Sequence, residues 1–172
     1  SVSCRPMTRQ VQMEVPKQVD LEVQRAIAVA GIPEDSQFQD WVEAALAGID
    51  KDVRLTVRIV DEHEAWQFNR DYRQRDNATN VLSFPAELPE GLPAEIRDPQ
   101  IGDLLICAPV VTREAKEQNR PAADHWAHLT IHGILHLLGY DHEQADEAQV
   151  MESLETEILA KLGVPDPYKD LS

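Results

Sequence analysis

The stretch from Val53 to Arg73, VRLTVRIVDEHEAWQFNRDYR, joins a predicted strand directly to a predicted helix. Its first eight residues alternate in polarity and are rich in β-branched side chains, which is typical of a strand with one face in a core. Asp61 follows where a helix N-cap is expected, and apolar residues then recur at helical spacing. The stretch therefore predicts a fold in which helices pack on a sheet.

Similar patterns extend in both directions from this strand–helix unit. Alternating apolar and polar residues over 11–15 predict an edge strand. Apolar residues at helical spacing, each run followed by a glycine, predict helices over 19–31 and 35–48. The second helix is expected to begin with Asp35 or Ser36 as its N-cap. Farther along the chain we expect two strands and three helices, over 79–85, 102–109, 110–118, 121–139 and 143–163. The expected fold class is α+β, one small, roughly four-stranded sheet packed with five to six helices. A length of 172 residues suits a single domain over 1–172.

Charge is unevenly distributed along the chain. The formal net charge is −15, which argues against a general nucleic-acid binder because such proteins usually carry a basic footprint. Seven acidic residues and no Lys or Arg lie between Asp141 and Glu157, a run that predicts a solvated helix face. Arg70, Arg73 and Arg75 are close together elsewhere, so a local cationic site remains available.

The segment HLTIHGILHLLGYDHE, residues 128–143, contains four of the six histidines of the chain: His128, His132, His136 and His142. His132 and His136 are four residues apart on a predicted helix, so their imidazoles share one face. Gly139 ends that helix, and the turn after it returns His142 toward the pair. Three imidazoles on one ion leave a fourth position for water, which is the catalytic arrangement of zinc. We therefore predict a metal site at the end of a central helix, with His132, His136 and His142 as ligands.

His128 lies on the same predicted helical stripe but has no comparable third partner. It is expected beside the metal ligands or facing the substrate. The spacing H-x3-H-x2-G-x2-H also matches the metzincin peptidases, which carry a glutamate general base directly after the first histidine. Gly133 occupies that position here, so the metal site is retained while peptidase chemistry is disfavoured. The missing side chain at Gly133 predicts a close approach of backbone or substrate to the helix.

Three motifs together resemble one known family. HGILHLLGYDH is similar to the signature of the YbeY endoribonuclease family, also described as rRNA maturation factors. YRQRDNATNVLSFP, residues 72–85, and GDLLIC, residues 102–107, resemble two further blocks of that family, and motif order agrees from about Val53 to Tyr168. Ala78 and Asn80 depart from the residues common there, proline and aspartate.

The resemblance implies a metal-dependent endoribonuclease specific for single-stranded RNA. It implies action in ribosomal RNA maturation, notably at the small-subunit 3′ end, and in ribosome quality control, with ribosomal RNA and the ribosome or its associated proteins as partners. It also implies one Zn²⁺ per chain on the three histidines and catalytic roles for Arg73, His132 and His136. Additional substrate contacts are expected from Arg70, Arg75, Ser83 and His128.

The residues leave several alternatives open. The nucleophile could be a zinc-bound water or the RNA 2′-hydroxyl, since a metal can activate water or polarise the phosphate. Two other functions are a metallohydrolase of another substrate class and a non-catalytic ribosome-associated zinc protein. Two cysteines and no apolar run of membrane-spanning length lead us to expect a cytoplasmic protein without membrane association.

Overall fold

The computed structural model describes residues 18–49, 52–73, 80–85, 100–140 and 145–168, with the backbone alone at 71–73 and 100. The predicted edge strand at 11–15 and the ligand candidate His142 lie outside the described residues. The described elements, in chain order, are β1 (Val19–Arg25), α1 (Asp35–Ala45), β2 (Val53–Val60), α2 (Glu62–Arg73), β3 (Val81–Pro85), β4 (Gln100–Cys107), α3 (Ala108–Glu117), α4 (Ala122–Leu137) and α5 (Ala145–Lys161).

The four described strands form one mixed sheet in the order β1-β2-β4-β3. β1, β2 and β4 run parallel, with Val57 of β2 paired to Val23 on one side and Leu104 on the other. β3 is antiparallel to β4, and Ser83 pairs with Leu104. This four-stranded sheet with five described helices confirms the α+β prediction.

One face of the sheet carries the main core. The alternation in β2 places Val53, Leu55, Val57 and Ile59 on this face, where all four are essentially inaccessible to solvent. Helices α1 and α4 cover it with large side chains, and Phe38 of α1 meets Trp126 of α4 edge to face, with ring centroids 5.8 Å apart. Such burial is the dominant stabilising contribution in a fold of this size. The opposite face is covered by α2 at one end, through a second cluster.

The segment from residue 19 to 31, predicted as one helix, is instead strand β1 followed by a loop. Val19, Leu21 and Val23 alternate with Asp20 and Glu22, and this period of two governs the segment because β2 offers a parallel pairing partner. The apparent helical spacing came from Leu21, Val23, Ile27 and Ala30, followed by Gly31. The prediction was wrong because tertiary pairing outweighs local propensity.

The N-cap of α1 is Glu34, not the predicted Asp35 or Ser36, and the side chain of Gln37 accepts a hydrogen bond from the backbone N–H of Glu34 at 3.0 Å. The ends of α2 and α4 follow the sequence closely. Asp61 accepts a hydrogen bond from the backbone N–H of Glu64 at 2.9 Å, as expected for the N-cap of α2. Gly139 has φ of +104°, the left-handed conformation predicted for the end of α4. No helix among the described residues is long and apolar enough to cross a membrane.

Candidate metal centre

Helix α4 carries four histidines along one face. His128 and His132 contact helix α5 and the C-terminal segment, residues 162–168, whereas His125 contacts α3. His125 is buried, whereas the side chains of His128 and His132 are 12% and 22% exposed. His136, one turn after His132, is half-buried. The i, i+4 spacing therefore produces a row of imidazoles that becomes more accessible toward the end of the helix.

The Nε2 atoms of His132 and His136 converge. They are 3.2 Å apart and the rings are nearly perpendicular, at 80°. Two imidazole nitrogens that share a tetrahedral zinc at ordinary bond lengths are separated by about 3.3 Å. The pair therefore fits a cation held between the two Nε2 atoms.

A buried carboxylate lies behind these histidines. Glu155 of α5 is completely inaccessible to solvent, and its Oε2 is 2.6 Å from Nδ1 of His132. Its Oε1 accepts a hydrogen bond from Nε2 of His128 at 2.9 Å and another from the hydroxyl of Tyr168. Glu155 therefore accepts three hydrogen bonds, each from a different side chain.

This arrangement keeps the carboxylate charged. Burial alone would raise the pKa of Glu155, but the hydrogen bonds from His128 and His132 outweigh it and lower the pKa to about 2. Burial raises the pKa of the Tyr168 hydroxyl, and its contact with Glu155 raises it further. A neutral phenol therefore donates to an ionised carboxylate.

His128, His132 and Glu155 together form a group that could hold a metal ion. One ligand atom from each lies within 4.8 Å of the others. The group is drawn from the described part of the chain, and His142 lies outside it. Imidazole nitrogen and carboxylate oxygen are both ligands of divalent metals, and the donor set fits zinc and related ions.

Gly133 faces the sheet rather than the histidine row. A Cβ at this position would lie 2.7 Å from Cδ2 of Leu104 and 3.4 Å from Oγ of Ser83. The close approach at Gly133 is therefore made by side chains of β3 and β4, and not by backbone or substrate as expected. Ser83, a substrate-binding candidate, is buried and donates a hydrogen bond to the carbonyl oxygen of Gly133 at 3.1 Å, so it ties α4 to β3.

The arginine candidates lie on α2 and beyond it. The guanidinium carbon of Arg70 lies 4.3 Å from the ring centre of Trp66, within the range of a cation–π contact. Arg73 is the last residue of α2, and only its backbone is described; Arg75 lies outside the described residues. The three therefore remain candidates for binding phosphate.

His125, deeper in the same row, joins a separate polar network. Its Nε2 donates to Oε1 of Glu114 at 2.9 Å, and Nδ1 is 3.4 Å from Nη1 of Arg120. Since a guanidinium can only donate, Nδ1 acts as the acceptor and the imidazole is neutral. Burial lowers the pKa of His125 more than the hydrogen bond to Glu114 raises it.

The lowered pKa of His125 predicts a loss of stability in mild acid. The unfolded chain takes up a proton near the ordinary histidine pKa of about 6.5, whereas folded His125 resists protonation. The free energy of unfolding should therefore fall as the pH drops below that value and level off below the folded pKa. His125→Gln should flatten this decline in urea titrations between pH 7.5 and 5. His63→Gln, at an exposed histidine, should show the same decline as the wild type. If the free energy of unfolding fell equally with pH in the wild type, His125→Gln and His63→Gln, the prediction would be contradicted.

Glu155 and Tyr168 are the residues that sequence reasoning missed. The acidic run was expected to form a solvated face, and Glu152 and Glu157 are indeed exposed, but Glu155 is buried. Its position four residues after Met151 and four before Leu159, both buried, was the available signal.

A mixed sheet carrying a helix with converging histidines and a buried carboxylate partner defines an α+β protein with a candidate metal centre. A family model described as Endoribonuclease YbeY matches residues 23–163. The chain belongs to the YbeY endoribonuclease family.

Individual relatives share most of the chain. Endoribonuclease YbeY of Xanthomonas axonopodis pv. citri (strain 306) is 58% identical over 153 residues, which cover 89% of this chain and 95% of the relative. The protein of the same name from Alkalilimnicola ehrlichii is 58% identical over 154 residues, 88% of this chain and 92% of the relative. The solution structure of TM1509 from Thermotoga maritima is similar in fold, with a TM-score of 0.54 and 24% identity over 88% of this chain and 99% of that one.

Proposed function

We propose that the protein is a zinc-dependent endoribonuclease that cleaves single-stranded RNA during maturation of the small-subunit ribosomal RNA 3′ end and in ribosome quality control. The observation that carries the proposal is its 58% identity to proteins named Endoribonuclease YbeY over almost their whole length. The proposed position of the metal site rests on the Nε2 atoms of His132 and His136, which lie 3.2 Å apart.

One zinc ion per chain is proposed on His132, His136 and His142. The left-handed conformation of Gly139 supports the third ligand, because a glycine of this kind ends a helix and His142 follows three residues later. His132 and His136 would hold the zinc through Nε2. Bound there, zinc would lower the pKa of a water ligand to about 7 or polarise a phosphate oxygen.

Contacts with the RNA are assigned to side chains around the proposed zinc site. Arg73 offers a forked guanidinium to the scissile phosphate, and Arg70 and Arg75 add positive charge along the RNA backbone. Ser83 and His128 are proposed to contact the substrate. Position 133 has no catalytic side chain in this proposal. A Cβ there would lie 2.7 Å from Cδ2 of Leu104.

The proposed partners are ribosomal RNA and the ribosome or its associated proteins, in the cytoplasm, with residues 1–172 acting as one domain. A net charge of −15 predicts that the isolated protein binds RNA weakly and with strong salt dependence. A basic ribosomal partner would then supply the missing positive field.

The proposal is tested by incubating the purified protein with single-stranded and duplex RNA from the small-subunit 3′ region, with metal content measured on the same samples. We expect about one zinc per chain and cleavage of the single-stranded RNA alone, abolished by chelation and restored by zinc. Bound zinc without cleavage would favour the non-catalytic factor. Cleavage of peptides or small amides instead of RNA would favour another class of hydrolase.

Replacing Arg73 is expected to impair cleavage without affecting the metal. A hydrogen bond between charged groups contributes about 1.5–3 kcal/mol, so Arg73→Ala should lower kcat/KM by about 10- to 100-fold. Arg73→Lys should recover only part, since lysine lacks the planar fork. The control is Arg113→Ala, an exposed arginine on α3 that lies 3.5 Å from Glu62. Equal activity in the Arg73 and Arg113 variants would exclude the proposed role.

A further inference from the structure

We infer that Glu155 is a positioning residue that holds His132 with a proton on Nδ1 and its Nε2 free for the cation, and that Tyr168 and His128 hold Glu155 in turn. This inference rests on the proposed metal site and extends it to the C-terminal segment. Glu155 is assigned no contact with substrate or metal.

The contact distances separate a positioning role from a ligand role. Oε2 of Glu155 is 2.6 Å from Nδ1 of His132, which is the length of a charge-assisted hydrogen bond. Two ligands of one tetrahedral zinc would be farther apart, at about 3.3 Å. The Nε2 pair of His132 and His136 has nearly that separation, at 3.2 Å. The cation is therefore placed on the Nε2 side of His132, with Glu155 behind the ring.

The hydrogen bond to Glu155 selects the tautomer of His132. An ionised carboxylate can only accept, so Nδ1 of His132 must carry the proton. Nε2 of a neutral imidazole then has a lone pair, which is the form that binds metal. A carboxylate behind a metal-binding histidine orients the ring and increases its basicity, and loss of such a partner typically weakens metal binding by about 10- to 100-fold.

The position of Glu155 depends on two further donors. Nε2 of His128 and the hydroxyl of Tyr168 both donate to Oε1, and Tyr168 packs edge to face on His128 with ring centroids 5.3 Å apart. Asp166 accepts a hydrogen bond from the backbone N–H of Tyr168 at 2.8 Å, and its Oδ1 lies 3.4 Å from Oγ1 of Thr156 on α5, whose hydroxyl donates to the carbonyl oxygen of Glu152 at 2.9 Å. The C-terminal segment is thereby attached to α5 beside Glu155.

The first measurement uses the metal-free protein and does not depend on activity. Long-range ¹H–¹⁵N correlation spectra at fixed pH distinguish the two neutral tautomers of each histidine. We expect His132 in the Nδ1–H form in the wild type. In Glu155→Gln we expect a mixture or the Nε2–H form, because one amide oxygen cannot replace a carboxylate that accepts three hydrogen bonds.

The second measurement is zinc affinity, determined by competition with a chromophoric chelator. Glu155→Gln should bind zinc about 10- to 100-fold more weakly, and Glu155→Asp should recover part of the loss because it keeps the carboxylate. Tyr168→Phe, which removes a single donor, should have a smaller effect in the same direction. Glu157→Gln is the matched control, since it is the same substitution at an exposed position of α5 and should bind zinc like the wild type.

The outcomes separate this inference from the proposed function. An unchanged His132 tautomer and unchanged zinc affinity in folded Glu155→Gln would overturn the inference and leave the endoribonuclease proposal intact. Zinc bound through Nδ1 of His132 would also overturn it and favour His128, His132 and Glu155 as the ligands. If Glu155→Gln shows the expected changes in the His132 tautomer and in zinc affinity but the wild type cleaves no RNA, the inference is supported and the proposed function fails.

Discussion

His132→Ala is expected to lose both zinc and RNA cleavage. This side chain supplies one of the two converging Nε2 atoms and the Nδ1 contact to Glu155. Loss of a partner behind a ligand costs about 10- to 100-fold in metal affinity, so loss of the ligand itself should cost more than about 100-fold. Cleavage of single-stranded RNA should fall at least in proportion at limiting zinc.

His63→Ala is the control for this experiment. His63 is an exposed histidine on α2 that stacks on Trp66, remote in sequence from the histidine row. It should keep one zinc per chain and full activity. Circular dichroism should show both variants folded. Nuclease activity that persists in metal-free His132→Ala protein would contradict the proposed site and point to a contaminant.

Gly133→Glu is expected to destabilise the fold and to create no peptidase. The substitution restores the glutamate of the metzincin motif, but a Cβ here would lie 2.7 Å from buried Leu104 and the carboxylate would face the sheet. Overpacking costs about 1–3 kcal/mol and an unpaired buried charge costs more, so the free energy of unfolding should fall by at least about 3 kcal/mol. For a chain of this size that lowers Tm by about 6–12 °C.

Gly48→Glu provides the matched control for overpacking. No atom lies within 4 Å of a Cβ built on Gly48, and its backbone is not in the left-handed region. Its Tm should therefore stay within a few degrees of the wild type, in the range usual for surface substitutions. Peptide hydrolysis should be absent from both variants. A stable Gly133→Glu protein would mean that Leu104 and Ser83 can move aside.

Local patterns were sufficient for most of the helices and strands. The alternation in β2 and the caps and glycines around α2 and α4 depend only on residues that are close in sequence. They can therefore be recognised without knowledge of the tertiary structure. The same holds for His132 and His136, whose shared face follows from a spacing of four on a helix. The 19–31 segment failed because its alternating and helical patterns overlap, and a parallel partner, β2, decided between them.

The partners behind the histidines could not be predicted in this way. Glu155 is one of seven acidic residues in its run, and Tyr168 lies 40 residues after His128. The contacts among them exist because α5 packs against α4 and the chain then returns beside both helices. The reason that position 133 is glycine likewise depends on Leu104, which β4 places under α4.

The sequence by itself determined the α+β class and the histidine pair, because periodicity and spacing are local properties of the chain. Its three motifs carried the resemblance to the family. Only the tertiary structure decided which face of α4 meets the sheet and which acidic side chain is buried behind His132. These depend on how elements far apart in the chain pack together. Burial of a carboxylate is favourable only where that packing supplies its three donors.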